Sequence, residues 1–267
     1  MITSTSNSKI KFYRKLKSKK FRDETQLFLI EGPKIISDAF DSHWIFEHVF
    51  FSPELVKDDF SRNLIKNLQQ SQIDCSEVNS DVFRTISIKD GPKGIAAILK
   101  QKYNIFDDIE SMGGLWIGLD RIQDPGNLGS IMRTLDAVGG QGIILIDHCT
   151  DPFDIASVRG SMGAIFTTKI IKTTGEEFTN YITNNPIPVY GTSDKAKIDY
   201  QSTVYESDLI LLMGSEREGL SIQLLDLCDQ LLCIPMVGKS DSLNLAVATS
   251  ICAYEIFNQS RKRMISL

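Results

Sequence analysis

No apolar run in this chain of 267 residues comes near the roughly 18 to 20 residues that a membrane-spanning helix needs; LILLM at 209–213 is typical of the longest. The N-terminus is polar and then basic, with no apolar stretch behind it, so a secretory signal is not expected. Cysteine is scarce, and Cys75, Cys149, Cys228, Cys233 and Cys252 form an odd set without a Cys-x-x-Cys pair. Such a set fits reduced thiols in a cytoplasm rather than a disulfide framework. Histidine is scarcer, and His43, His48 and His148 make no zinc-ligand spacing with the cysteines, so no metal site is expected. The chain also lacks a Gly-x-Ser-x-Gly elbow and a Gly-x-Gly-x-x-Gly turn, and GPKG at 91–94 is not a P-loop. Ordinary serine-hydrolase and dinucleotide-binding chemistry is therefore not indicated.

An excess of basic charge is missing as well. Lys and Arg number 29 against 34 Asp and Glu, a net charge of -5. Taken whole, this argues against a nucleic-acid partner, which usually leaves a basic footprint. The total conceals an asymmetry. Residues 9–22 carry eight basic side chains (Lys9, Lys11, Arg14, Lys15, Lys17, Lys19, Lys20, Arg22) and no acid, which leaves 21 basic and 34 acidic residues elsewhere. Ile10, Tyr13, Leu16 and Lys20 recur at helical spacing, so 7–22 reads as one helix, either a solvated surface element or a basic arm for phosphates.

What is present is alternation. In the first hundred residues, FLIEGP, IISDAF, EHVFFSP, the apolar pattern around Leu64 and Leu68, and GIAAILK suggest a small α/β domain. The polar stretch 101–114 gives a boundary, with domains expected at 1–105 and 106–267. From 115 onwards, LWIGL, GIILID, TKII, PVYGT, DLILLMG and QLLCIPM are short apolar runs, most without period-two alternation. That is the signature of strands buried on both faces of a parallel sheet. Helical patterns at 128–138 and 243–258 lie between or after them, so an open α/β sheet covered by helices is expected. Ligands of such sheets bind beyond the carboxyl ends of the strands.

Three post-strand loops carry polar residues worth weighing. In DRIQDPGNLGSIMRTLDAVGG (120–140), Asn127 is a good N-cap type, and Arg133 points away from the stripe Leu128, Ile131, Leu135 and Val138. A capped surface helix with a free arginine would read the same way. In GSEREGLS (214–221), Gly214 permits close backbone approach and Glu216 leaves a strand end as a carboxylate; a plain turn before a helix would look similar. In MVGKSDSLNLAVATS (236–250), Ser242 is a natural N-cap for a helix starting at Leu243, and Asn244 falls in its first turn, where asparagine is a poor helix former.

Together and in this order, the three loops resemble the motifs of the SpoU family, the TrmH-like branch of the SPOUT RNA methyltransferases. The matching segments are QDPGNLGSIMRTLDAVG, LLMGSEREGLS and IPMVGKSDSLNLAVATSICAYE, with DPFDIASVRGSMGAIF at 151–166 also similar. The N-terminal ITSTSNSKIKFYRKLKSKKFRDETQLFLIEGPK is similar to the ribosomal-protein-L30e-like substrate-binding domain that often precedes the catalytic one. The resemblance implies a parallel-sheet catalytic domain with a C-terminal deep trefoil knot, a rare exception to unknotted connectivity, preceded by a small α/β domain. It implies S-adenosylmethionine as cofactor, contacted by Gly214, Ile234 and Leu243 with Thr192 and Met236 as neighbours. It implies catalytic roles for Arg133, Asn127, Glu216, Ser242 and Asn244, and methyl transfer to a ribose 2′-hydroxyl of structured RNA, ribosomal RNA ahead of transfer RNA. A non-catalytic RNA-binding or assembly protein of the same fold is the competing class. A homodimer is implied too, consistent with a final helix whose Leu245, Ala246, Ala248, Ile251, Ala253 and Phe257 could not all face one core. Arg217 departs from the family, many of whose members carry glycine there.

Overall fold

The computed structural model describes residues 1–88 and 91–265. The chain forms two compact units, Met1–Gln101 with Phe153–Phe166, and Lys102–Pro152 with Thr167–Leu267. The sequence places its boundary near 105; the first unit ends at Gln101 and takes in a later segment besides.

The first unit runs α1 (Ser8–Lys15), α2 (Lys19–Thr25), β1 (Leu27–Glu31), α3 (Pro33–Asp41), β2 (Phe46–Phe51), α4 (Asp59–Gln70), β3 (Cys75–Glu77), α5 (Ser80–Ile86) and β4 (Ile95–Lys100). Its sheet has the order β1-β4-β2-β3, with β4 antiparallel to both neighbours and β2 parallel to β3. The single helix expected over 7–22 is two, because the chain turns extended at Ser18, which sits at the N-cap of α2. Ile10, Tyr13 and Leu16 are fully buried in the core with Phe50, Phe83 and Ile86. Arg22 is buried as well; its guanidinium donates to the carbonyls of Leu16 and Lys17 at 3.1 and 3.0 Å and to Asp154 Oδ2 at 3.0 Å. It thereby satisfies carbonyls left without partners where α1 ends. Asp154 caps α8 (Ile155–Ser161) within the returning segment, whose Phe153 packs on Phe28 with ring centroids 4.7 Å apart.

The second unit contains α6 (Asp107–Met112), β5 (Leu115–Asp120), α7 (Pro125–Ala137), β6 (Gly142–Ile146), β7 (Lys169–Thr173), α9 (Gly175–Asn184), β8 (Val189–Thr192), β9 (Ile198–Asp199), β10 (Leu209–Met213), α10 (Ile222–Asp226), β11 (Gln230–Cys233) and α11 (Leu245–Ile265). All paired strands of its seven-stranded sheet are parallel, in the order β7-β6-β5-β10-β8-β11-β9. Central β5, β6 and β10 are buried along their whole length, which explains their unbroken apolar sequences. The chain steps outward from β5 through β6 to β7, and the later strands lie on the other side of β5. The order therefore reverses between β5 and β10, and the loops leaving their carboxyl ends meet at that switch point. Among the described residues, no helix is long and apolar enough to cross a membrane.

Candidate active site

Two helix starts differ from the sequence reading, and both differences release side chains for the site. The N-cap of α7 is Asp124, whose Oδ1 accepts the Asn127 N–H at 2.7 Å, with Pro125 at the first helical position. Proline is favoured there because its fixed φ suits a helix and its missing N–H is not needed. Asn127 is thus within the first turn instead of capping it. The last helix starts at Leu245 rather than Leu243, and its cap is Asn244, whose Oδ1 accepts from Ala246 N and Val247 N at 3.0 and 3.3 Å. Ser242 lies outside the helix and is exposed.

The amides freed in this way form a chain across three loops. Asn127 Nδ2 donates to Glu216 Oε1 at 2.9 Å, and Asn244 Nδ2 donates to Asn127 Oδ1 at 2.9 Å. Glu216 Oε2 also lies 3.4 Å from the backbone N–H of Gln123. The directions are dictated by chemistry. An ionised carboxylate only accepts, so Asn127 must turn its NH2 to Glu216 and its oxygen to Asn244. Asn244 then has its own oxygen left for the orphan N–H groups of α11.

A second set of contacts fastens the same loops. Asp120, fully buried at the end of β5, accepts from Ser221 N at 2.7 Å and pairs with Arg121 Nε at 2.9 Å. Arg121 Nη1 reaches Glu218 at 2.8 Å. The hydrogen bond to Asp120 holds the Arg121 pKa above the ordinary arginine value. Sequence reasoning passed over Asp120, Arg121 and Glu218, because an acid-base pair at a strand end looks like any polar loop start.

Gly214 follows β10, and a Cβ there would lie 2.1 Å from the carbonyl carbon of Gly219 and the nitrogen of Leu220. Its lack of a side chain is thus needed by the chain itself, which folds back through Ser215 N to Gly219 O and Gly219 N to Ser215 O at 3.1 and 3.0 Å. Thr192 ends β8, with its hydroxyl 3.5 Å from the Leu212 carbonyl and 3.4 Å from the Met213 sulfur. Register sets Leu212 beside Gly191 and Leu232 beside Thr192, so Thr192, Gly214 and Ile234 leave neighbouring strands at one end of the sheet. Among the described residues, Pro235–Leu243 make no hydrogen bond within the chain, and Met236 and Leu243 are exposed apolar side chains on that stretch. Unused backbone donors and acceptors beside exposed apolar groups suit a ligand that offers both polar edges and an apolar face.

Arg133 is exposed on α7 and, among the described residues, has no ion-pair partner. Asn127, Glu216 and Asn244 are thus brought together by hydrogen bonds; Arg133 and Ser242 are not bonded to them. Burial pushes the Cys149 thiol up to about 11 and the Cys228 thiol up to about 12. Among the described residues, no group of three or more His, Cys, Asp or Glu side chains could hold a metal ion.

Comparison with known proteins gives the family. The SpoU rRNA Methylase family matches residues 114–254, and the MRM3-like substrate binding domain matches 7–97. The chain is 30% identical to the 23S rRNA (guanosine(2553)-2'-O)-methyltransferase RlmP of Bacillus subtilis, over 96% of this chain and 98% of that one. It superposes on an AdoMet-bound rRNA methyltransferase from Sinorhizobium meliloti with a TM-score of 0.86 and 35% identity, covering 96% of this chain and 97% of the other. The SpoU methyltransferase AviRb from Streptomyces viridochromogenes, also in complex with AdoMet, gives a TM-score of 0.87 at 26% identity, with 95% and 98% covered. By motif, fold and full-length likeness, the chain belongs to the SpoU rRNA Methylase family.

Proposed function

We propose that the protein is an S-adenosylmethionine-dependent RNA 2′-O-ribose methyltransferase that acts on ribosomal RNA. The observation that carries this reading is the hydrogen-bonded chain Glu216–Asn127–Asn244, which gathers three polar side chains from separate loops at the carboxyl end of a parallel sheet. When bound, S-adenosylmethionine supplies an activated methyl group on a sulfonium, so the difficult chemistry belongs to the cofactor.

The backbone of 235–243, with Ile234, Met236 and Leu243, and the strand ends at Thr192 and Gly214 would hold the cofactor. The unused amides and carbonyls described above are what its polar edges require. The chain's remaining task is to bring a ribose hydroxyl into line and ease loss of its proton. Arg133, exposed and without an ion-pair partner among the described residues, is a cation available for this. An arginine stays protonated with a pKa of roughly 12.5 or more, so its role is to hold the nucleotide's phosphate and stabilise charge developing on the 2′-oxygen. Glu216 and Asn127 keep the first loop in place, Asn244 ties it to the start of α11, and Ser242 lies near enough in sequence to orient the ribose.

The first unit, with exposed Lys11, Lys15, Lys17, Lys19 and Lys20, binds structured RNA. The second dimerises through α11, whose Val247 and Tyr254 are large exposed apolar side chains, and threads its C-terminal strands as a trefoil knot. The protein works in the cytoplasm. Incubation with methyl-labelled cofactor and either ribosomal or transfer RNA tests the reading. We expect label in ribosomal RNA, recovered as a 2′-O-methyl nucleoside. Label in transfer RNA alone would overturn the substrate. No label in either, with cofactor bound in calorimetry, would favour a non-catalytic RNA-binding protein.

A further inference from the structure

The site's geometry depends on a group of residues that the family motifs leave unassigned. The segment between β10 and α10 makes a narrow hairpin at Ser215–Gly219, and Glu216 near its tip is the carboxylate that Asn127 meets. Such a hairpin, five residues on a glycine pivot, has little packing of its own. It is fastened at two points. At its root, the buried carboxylate of Asp120 accepts the N–H of Ser221. Near its tip, Glu218 is held by Arg121, which is anchored in turn on Asp120. Glu216 lies at the same tip, two residues before Glu218.

Arg121 itself has a left-handed backbone, φ 54°. A residue with a Cβ adopts that conformation at a cost, whereas glycine does so freely. Local conformation therefore does not account for arginine at this position, but its guanidinium does, because the left-handed turn directs it back over Asp120 and across to the hairpin.

We propose that Asp120, Arg121 and Glu218 form a clasp that sets the position of Glu216, and through it of Asn127, for methyl transfer. The proposal rests on the reading of the preceding section. These are positioning residues; none is offered as touching substrate.

Arg121→Gly tests the clasp, since glycine keeps the backbone turn while the guanidinium is lost with the rest of the side chain. Displacing a catalytic constellation by about 1 Å costs on the order of 100-fold in rate. We expect kcat on ribosomal RNA to fall about 10- to 100-fold in Arg121→Gly, with the melting temperature, the KM for RNA and cofactor affinity little changed. Arg121→Lys should recover part of the loss. Glu218→Gln should lower kcat less, and the double variant Arg121→Gly/Glu218→Gln should be no slower than Arg121→Gly alone, because both break one unit. Amide hydrogen exchange at 215–220 should quicken in Arg121→Gly. Unchanged kcat in Arg121→Gly, or a loss matched by falling melting temperature and cofactor affinity, would overturn the proposal. A wild-type protein inactive on ribosomal RNA would overturn the functional reading instead. Even then, unchanged exchange at 215–220 would overturn the clasp and quickened exchange would support it.

Discussion

In the first unit, the side chains that set its basic surface are close in sequence, Lys9 to Lys20, on two short helices. In the second, Asn127 and Asn244 touch across 117 residues of sequence, and Glu216 joins them from a third loop. The first arrangement is local and electrostatic. The second is produced by topology, because parallel pairing brings those loops to one end of the sheet and the order β5-β10-β8-β11 sets the first two side by side. Features of the first kind should tolerate exchange of single residues and respond to salt, whereas those of the second should fail at single atoms.

The largest effect that would separate them is at Arg133. Arg133→Lys retains the charge but loses the planar fork, so we expect a rate loss of about 100- to 1,000-fold in RNA methylation, with cofactor still bound in calorimetry. A fully active Arg133→Lys enzyme would place this residue with the tolerant, local kind. Replacing Lys11, Lys15, Lys17, Lys19 and Lys20 together by glutamine should weaken RNA binding about 10- to 100-fold at moderate salt and flatten the dependence of affinity on salt, with cofactor affinity unchanged. A loss of cofactor affinity would make those helices structural. Arg22 is excluded from that set because it is already structural, buried against Asp154 and two carbonyls. The smallest expected effect is on stability. Asn244→Ala removes the cap of α11 and should lower unfolding stability by about 1 kcal/mol, while Ser242→Ala, outside the helix, should leave it unaltered; equal effects would contradict the observed helix start.

The strands of the second unit were legible because burial on both faces demands uninterrupted apolar residues, and LWIGL, GIILID and LILLM have no other comfortable home. The two-residue β9 was not, since Ile198–Asp199 is too short to carry a pattern. Helix starts were misread by two or three residues for one reason. Asn127 and Ser242 are good cap types, but so are Asp124 and Asn244, and the choice between neighbours is made by Pro125 in one case and by contact with a distant loop in the other. The basic stretch reads as one helix because its helical spacing continues through the break at Ser18, whose extended backbone leaves no mark on that spacing. Of the site, Asn127, Glu216 and Asn244 could be picked out by motif but not joined, and Arg121 could not be picked out at all. Its importance lies in a left-handed turn and two partners, neither of which periodicity registers.

The excursion Phe153–Phe166 has a consequence for how such a protein can change over evolutionary time. The chain passes from one unit to the other after Gln101, again after Pro152 and again after Phe166. A single cut therefore cannot release an intact first unit, because residues 1–101 alone would forfeit Phe153 from beside Phe28 and Asp154 from beside Arg22. Gene fusion and loss trade in contiguous pieces. A unit completed by a segment that lies within its neighbour's sequence is inherited with that neighbour, and the two must diverge as one.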